Sequence, residues 1–239
     1  MRSLEGQVAI VTGGNRGIGK AIAKGFAAEG ASLVLTARDM DALTQTANEV
    51  RDIGASVMVV SADLAEESEI VSLFGQVPRV DILVNNAGAI DGGALDSLTA
   101  ETWDKVLNIN LRAPFLCTRE AMRRMKEQST GGRIINIGST SSHVPRPNTA
   151  PYCASKFAIR GLTQMTALEG RTHGITASCL CPGNTYVERV RDAVDAPIEP
   201  MMDVESVVRT AVLMATLPKG VNMLEATVLP VPQLFIGRG

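Results

Sequence analysis

Aromatic side chains are scarce in this 239-residue chain: phenylalanine, tryptophan and tyrosine together make up 3% of it. Charge of one sign is lacking too. The net charge of −2 and the scattered basic residues provide no footprint for nucleic acid or an anionic membrane surface. Small-molecule chemistry is the class left standing. No apolar run is long enough to span a bilayer. The opening Met1-Arg-Ser-Leu-Glu-Gly6 lacks the apolar core of a secretion signal, and a cytoplasmic location is expected. Cys117, Cys153, Cys179 and Cys181 follow no Cys-x-x-Cys pattern, and with only two histidines, His143 and His173, the spacing weighs against zinc; no metal is expected. No linker rich in proline, glycine or serine divides the chain, so one domain over residues 1–239 is expected.

What is abundant is aliphatic. Short Val/Ile/Leu runs alternate with amphipathic segments, the pattern of a parallel sheet buried on both faces. Strands are predicted at Gln7–Val11, Ser32–Ala37, Val57–Val60, Asp81–Val84, Arg133–Ile137, Ile175–Leu180 and Glu225–Leu229. Helices fall between them, including a long one after Thr99 with a kink at Pro114, and one opened by Pro151. Residues 184–203 lose periodicity and carry Pro197 and Pro200, which predicts a substrate lid. The fold class is therefore α/β, a Rossmann-like doubly wound sheet of about seven parallel strands. In such a sheet ligands bind beyond the carboxyl ends of the strands, where strand order reverses.

Chemistry-bearing residues follow the strands in that way. Gly13, Gly17 and Gly19 lie between the first strand and its helix, a setting for a tight turn that lets a pyrophosphate approach a helix N-terminus. The spacing Gly-x-x-x-Gly-x-Gly departs from the commoner Gly-x-Gly-x-x-Gly. Asn85-Asn-Ala-Gly88 follows the fourth strand, Ser139 the fifth and Pro182-Gly183 the sixth. Tyr152 and Lys156 stand four apart, on neighbouring positions of one helix face if that segment is helical. A cation beside a phenol favours the phenolate.

Taken together, Thr12-Gly-Gly-Asn-Arg-Gly-Ile-Gly19, Asn85-Asn-Ala-Gly88, Asn110, Ser139, Tyr152, Lys156 and Pro182-Gly183 resemble the short-chain dehydrogenase/reductase family along nearly the whole chain. The resemblance implies strand order 3-2-1-4-5-6-7 and a homodimer or homotetramer. It also implies hydride transfer between a nicotinamide cofactor and a ketone or secondary alcohol. Tyr152 would be the acid/base, Ser139 would orient the carbonyl, Lys156 would hold the nicotinamide ribose and tune Tyr152, and Asn110 would hold a helix irregularity and a relay water. Gly13, Asn15, Arg16, Gly17, Ile18, Gly19, Asp63, Asn86, Ala87, Gly88, Tyr152, Lys156, Pro182, Gly183 and Thr185 would line the cofactor. Asp63 reads equally well as an N-cap with Glu66 three residues on.

Cofactor choice follows from charge. Where a carboxylate would accept bonds from a ribose 2′-hydroxyl, the chain has Ala37 and then Arg38, with Arg16 inside the glycine turn. Two cations favour NADP(H), while Asp39, one residue further, keeps NAD(H) possible. Val187 stands where many relatives have threonine, and the C-terminal Leu234-Phe-Ile236 is expected to be an exposed apolar tail. Two other functions compete: a 3-oxoacyl-carrier-protein reductase, whose two expected arginine positions hold Thr130 and His173 here although Arg133 and Arg171 lie close, and a non-catalytic nucleotide sensor on the same fold.

Overall fold

Alternation along each strand sends side chains into two separate apolar layers. Ala9 and Val11 join Leu33, Leu35, Ile82, Val84 and Ile135 on one face, while Ile10, Val34, Leu83 and Ile134 point to the other. A period of two with both faces covered is what the Val/Ile/Leu runs demand. We describe the protein from a computed structural model, and the structure describes residues 2–188 and 199–235.

Seven strands form the main sheet: β1 Val8–Thr12, β2 Ser32–Ala37, β3 Val57–Ser61, β4 Ile82–Asn85, β5 Gly132–Ile137, β6 Ile175–Pro182 and β9 Glu225–Val228. They run parallel in the order β3-β2-β1-β4-β5-β6-β9. The expected order is met, with one insertion. A two-stranded parallel pair, β7 Thr185–Tyr186 and β8 Met202–Asp203, brackets the stretch predicted as a lid. Residues 189–198 of that stretch, including Arg189, Arg191, Asp192 and Asp195, lie outside the described residues.

Helices α1 Gly17–Ala28, α2 Met40–Asp52 and α7 Val204–Thr216 cover one face through Ile22, Phe26, Leu43, Val50 and Val207. Helices α3 Glu67–Gln76 and α5 Ala113–Gln128 cover the other through Ile70, Phe74, Leu116 and Met125. Helices α4 Ala100–Leu107 and α6 Ala150–Gly170 complete that side, Ile159 and Leu162 of α6 packing on Cys179 and Cys181 of β6. Among the described residues no helix is long and apolar enough to cross a membrane.

Local signals explain the helix starts. Thr99 caps α4 by accepting from the Thr102 amide at 3.2 Å, and Pro151 occupies the first turn of α6. The irregularity expected at Pro114 lies one turn earlier, as a π-helical segment, Asn108–Arg112, joining α4 to α5. Proline removes its own amide and crowds the carbonyl four residues back, here Asn110, so the helix widens before the proline. Helix α5 ends on a left-handed residue. Ser129, at φ 56°, takes the left-handed cap ahead of Gly131. Asp63 is not the cap of α3, which begins at Glu67; its Oδ1 accepts from the Ala65 amide at 3.0 Å, in a turn placed before the helix.

Candidate active site

Strand order reverses between β1 and β4, and the loops leaving those strands meet there. Thr12 Oγ1 accepts from the amides of Asn86 and Ala87, both at 3.0 Å, and the Asn86 side chain donates to the carbonyls of Thr12 at 2.9 Å and Gly13 at 3.1 Å. Gly13, at φ 63°, and Gly19 both face Asn86; a Cβ on Gly19 would overlap Asn86 Nδ2 and the Gly13 carbonyl. Two of the three glycines therefore serve the closeness of turn, helix and β4 loop. Gly88 adjoins Asn110 Oδ1.

The third glycine serves the helix end. Gly17, at φ 59°, starts α1, and its amide donates to Glu188 Oε2 at 3.1 Å. A carboxylate thus rests on the positive end of α1, the place where an anionic group is favoured. Lys20 Nζ lies 4.0 Å from the same carboxylate. Arg16 occupies the N-cap position with its side chain exposed, Ile18 is half-buried in the first turn, and the Asn15 carbonyl accepts from Thr46 Oγ1 at 3.1 Å.

At the end of β2, Arg38 projects into solvent with its guanidinium 3.9 Å from Asp63. Asp39 is otherwise engaged. Its carboxylate accepts from the Ala42 amide at 3.0 Å as the N-cap of α2, which turns the rival acidic group toward its own helix.

The π-helical segment places Asn110 in the interior. Its Oδ1 accepts from the Ala89 amide at 2.7 Å, and its Nδ2 donates to the Ala89 carbonyl at 2.9 Å and to Ser155 Oγ at 3.2 Å. Asn110 therefore ties the β4 loop to α6. Ser139 follows β5 as the N-cap of a short 3-10 turn, Thr140–Ser142; its Oγ accepts from the Ser141 amide at 3.1 Å. That bond uses a lone pair and leaves the hydroxyl proton available to donate. On α6, Tyr152 is half-buried and Lys156 is buried, its ammonium donating to the Ile137 carbonyl at 2.7 Å and lying 5.6 Å from the centre of the Tyr152 ring.

After β6, Pro182 is buried and the Gly183 amide donates to the Val228 carbonyl at 2.7 Å. Thr185 donates its hydroxyl to the Gly183 carbonyl at 3.0 Å, which fixes the turn. The C-terminal tail closes over this place. Gln233 is buried and accepts from the Asn184 amide at 2.7 Å, and Phe235 packs edge-on against His143 at 5.9 Å between ring centres. Leu234 is exposed as expected; Phe235 is not, because the Gln233 anchor folds the chain back onto its own β9 side. Ile236 lies outside the described residues.

Three arrangements were not visible in the sequence. A buried polar row runs from Asn85 Nδ2 to Asn136 Oδ1 at 2.8 Å, and from Asn136 Nδ2 to Thr163 Oγ1 at 2.9 Å. Arg133 does not face solvent; it donates to the carbonyls of Met214, Leu217 and Pro218 at the end of α7, and its pKa is lowered by burial. His143 pairs with Glu225 at 3.0 Å beside Cys181. The Cys179 and Cys181 sulfurs lie 3.6 Å apart; their mutual hydrogen bond, with burial, pushes the Cys179 thiol up and, together with His143, holds the Cys181 thiol down. The period-two spacing of Cys179 and Cys181 on one strand is the only sequence signal that could have pointed there.

The sequence profile of short chain dehydrogenases matches residues 7–197. A protein of Streptomyces violaceoruber, named provisionally as ketoacyl reductase 1 of the granaticin polyketide synthase, is 41% identical over 194 residues, covering 77% of this chain and 71% of its own. A short-chain type dehydrogenase/reductase of Picea abies is 37% identical over 193 residues, with 75% and 71% covered. Among solved structures, the acetoin dehydrogenase of Salmonella typhimurium superposes with a TM-score of 0.83 at 30% identity, over 94% or so of either chain (93% of this one and 95% of that one).

Proposed function

The chain belongs to the short-chain dehydrogenase/reductase family, and on that premise we propose that it is an NADP(H)-dependent oxidoreductase acting on a ketone or secondary alcohol. The observation that carries the proposal is the buried Lys156 ammonium, fixed on the Ile137 carbonyl beside the Tyr152 ring, one strand end away from the Ser139 hydroxyl.

The residues present fit a nucleotide cofactor, because Gly17 at the head of α1 already holds an anion, the Glu188 carboxylate. Gly13, Asn15, Arg16, Gly17, Ile18 and Gly19 would hold the pyrophosphate. Asp63, Asn86, Ala87 and Gly88 would hold the adenosine side and the crevice, and Pro182, Gly183 and Thr185 the nicotinamide end. Arg38 would pair with a 2′-phosphate, and Asp39 cannot contest it while it caps α2. When bound, the nicotinamide supplies or accepts the hydride.

In reduction, the Ser139 proton points at the substrate oxygen and holds it. Tyr152 delivers its phenolic proton to the same oxygen as negative charge builds there, and in oxidation it takes the hydroxyl proton. Lys156 stabilises the charge left on Tyr152. Asn110, clamped to Ala89 and Ser155, keeps the β4 loop and α6 in register for that transfer. We place the protein in the cytoplasm, as a homodimer or homotetramer, with residues 184–203 as a substrate lid.

A 3-oxoacyl thioester is the second reading, favoured by the similarity to the Streptomyces protein. Arg133, turned inward onto α7, is not available to dock a carrier protein. Both readings are tested by following NADPH and NADH absorbance with a panel of ketones, hydroxyketones such as acetoin, and 3-oxoacyl thioesters. Turnover of ketones with NADPH supports the proposal. Tight NADPH binding with no turnover on any member would instead make the protein a nucleotide sensor.

A further inference from the structure

Behind the Ser139 loop, three chain segments converge on a set of ligand atoms unrelated to nicotinamide chemistry. His143 closes the 3-10 turn, Cys179 and Cys181 lie on β6, and Glu225 opens β9. His143, Cys181 and Glu225 each offer one ligand atom, and the three atoms lie within 4.8 Å of one another. Cys179 Sγ is 3.6 Å from Cys181 Sγ, and His143 Nε2 is 3.0 Å from Glu225 Oε1. We propose that Cys181, His143 and Glu225 form a three-ligand binding site for zinc or a similar first-row divalent cation that clamps the Ser139 loop to β6 and β9, with Cys179 packed beside Cys181.

The distances suit this chemistry. In a tetrahedral zinc site a nitrogen and an oxygen ligand stand about 3.3 Å apart, so the His143–Glu225 pair, at 3.0 Å, has to part by only a few tenths of an ångström. Three protein ligands leave the fourth position to water. The soft sulfur excludes magnesium and calcium, which need several oxygen ligands where this cluster offers one carboxylate.

The surroundings fit as well. Gly138 backs both sulfurs: a Cβ there would come within 2.7 Å of Cys181 Sγ and 2.9 Å of Cys179 Sγ. Arg160 donates to Glu225 Oε2 at 2.8 Å, which orients the carboxylate and leaves Oε1 toward His143. One thiolate and one carboxylate balance the charge of a divalent cation. The sulfur of Cys181 is buried, but the His143 and Glu225 side chains retain 21% and 27% exposure, which gives a cation a way in. Binding displaces the Cys181 thiol proton and any proton shared between His143 and Glu225. The spacing argument against zinc addressed ligands adjacent in sequence; these come from residues 143 to 225 and meet only in the folded chain.

The test uses the reduced, chelator-treated full chain and Co²⁺ as the probe. One Co²⁺ per chain is expected, with a thiolate-to-cobalt charge-transfer band in the near ultraviolet that Zn²⁺ abolishes by displacement. Cys181→Ser should lose most of that band. His143→Gln and Glu225→Gln, both at partly exposed positions, should weaken binding by at least about tenfold. Zn²⁺ should raise the melting temperature of the wild type and raise that of His143→Gln by clearly less at the same concentration. Circular dichroism without metal establishes that each variant is folded, and if Cys181→Ser is not, His143→Gln decides. Absence of a saturable band in the wild type, or unchanged affinity in a folded His143→Gln, overturns the site. Neither result depends on turnover, so the assignment of the reductase stands or falls separately.

Discussion

Lys156 and Arg38 are two cations of one proposed cofactor site in opposite settings. Lys156 is 6% exposed and fixed by a single short bond to a strand carbonyl, whereas the Arg38 side chain is 77% exposed with its nearest anion, Asp63, 3.9 Å away. The first belongs to a region assembled from β5, α6 and the π-helical segment, where burial makes each charge need a partner. The second belongs to the rim of the glycine turn, where water screens charge and a residue can change without disturbing the core. Under the proposed function that difference would divide the labour: the buried half would set the reaction, and the exposed half would choose the nucleotide.

Four substitutions would break or sharpen that division. Tyr152→Phe, in the buried half, should lower kcat by about 10²- to 10⁴-fold while NADPH affinity stays within about twofold of wild type; near-normal turnover would remove Tyr152 from its role. Arg38→Ala, at the rim, should weaken NADPH by about 10- to 150-fold, the worth of one charged hydrogen bond, and leave NADH nearly unchanged. Equal losses for both nucleotides, measured by fluorescence titration, would mean that Arg38 does not read the 2′-phosphate. Gly19→Ala should cost about 1–3 kcal/mol in urea unfolding, because the new methyl must displace Asn86 or the Gly13 carbonyl. A cost near zero would show that turn and β4 loop are not closely bound. Smallest is Glu188→Gln, which removes the charge resting on the α1 N-terminus and should tighten NADPH by about two- to fivefold. Weaker binding would mean that Glu188 assists the nucleotide rather than competing for its seat.

Legibility differed between the two halves as well. The glycine turn, the strand ends and the Tyr152–Lys156 spacing are contiguous or periodic, so local geometry carried them into the structure. The start of α4 at Thr99 and of α6 at Pro151 followed from capping chemistry alone. Errors came where a neighbour distant in sequence decided. The apolar tail reads as exposed until Gln233 accepts from the distant Asn184 amide. Nothing near Arg133 in the sequence reveals that the carbonyls at the end of α7 lie beside it.

By itself, the sequence determined the α/β class, the order of strands and helices, and the positions of the glycine turn, Ser139, Tyr152 and Lys156. Periodicity and turn chemistry act over a few residues and are written locally. Only the tertiary structure decided that Glu188 rests on the helix α1 N-terminus, and that His143, Cys181 and Glu225 come together. Those outcomes depend on contacts between segments tens of residues apart, set by how the two apolar layers close on the sheet.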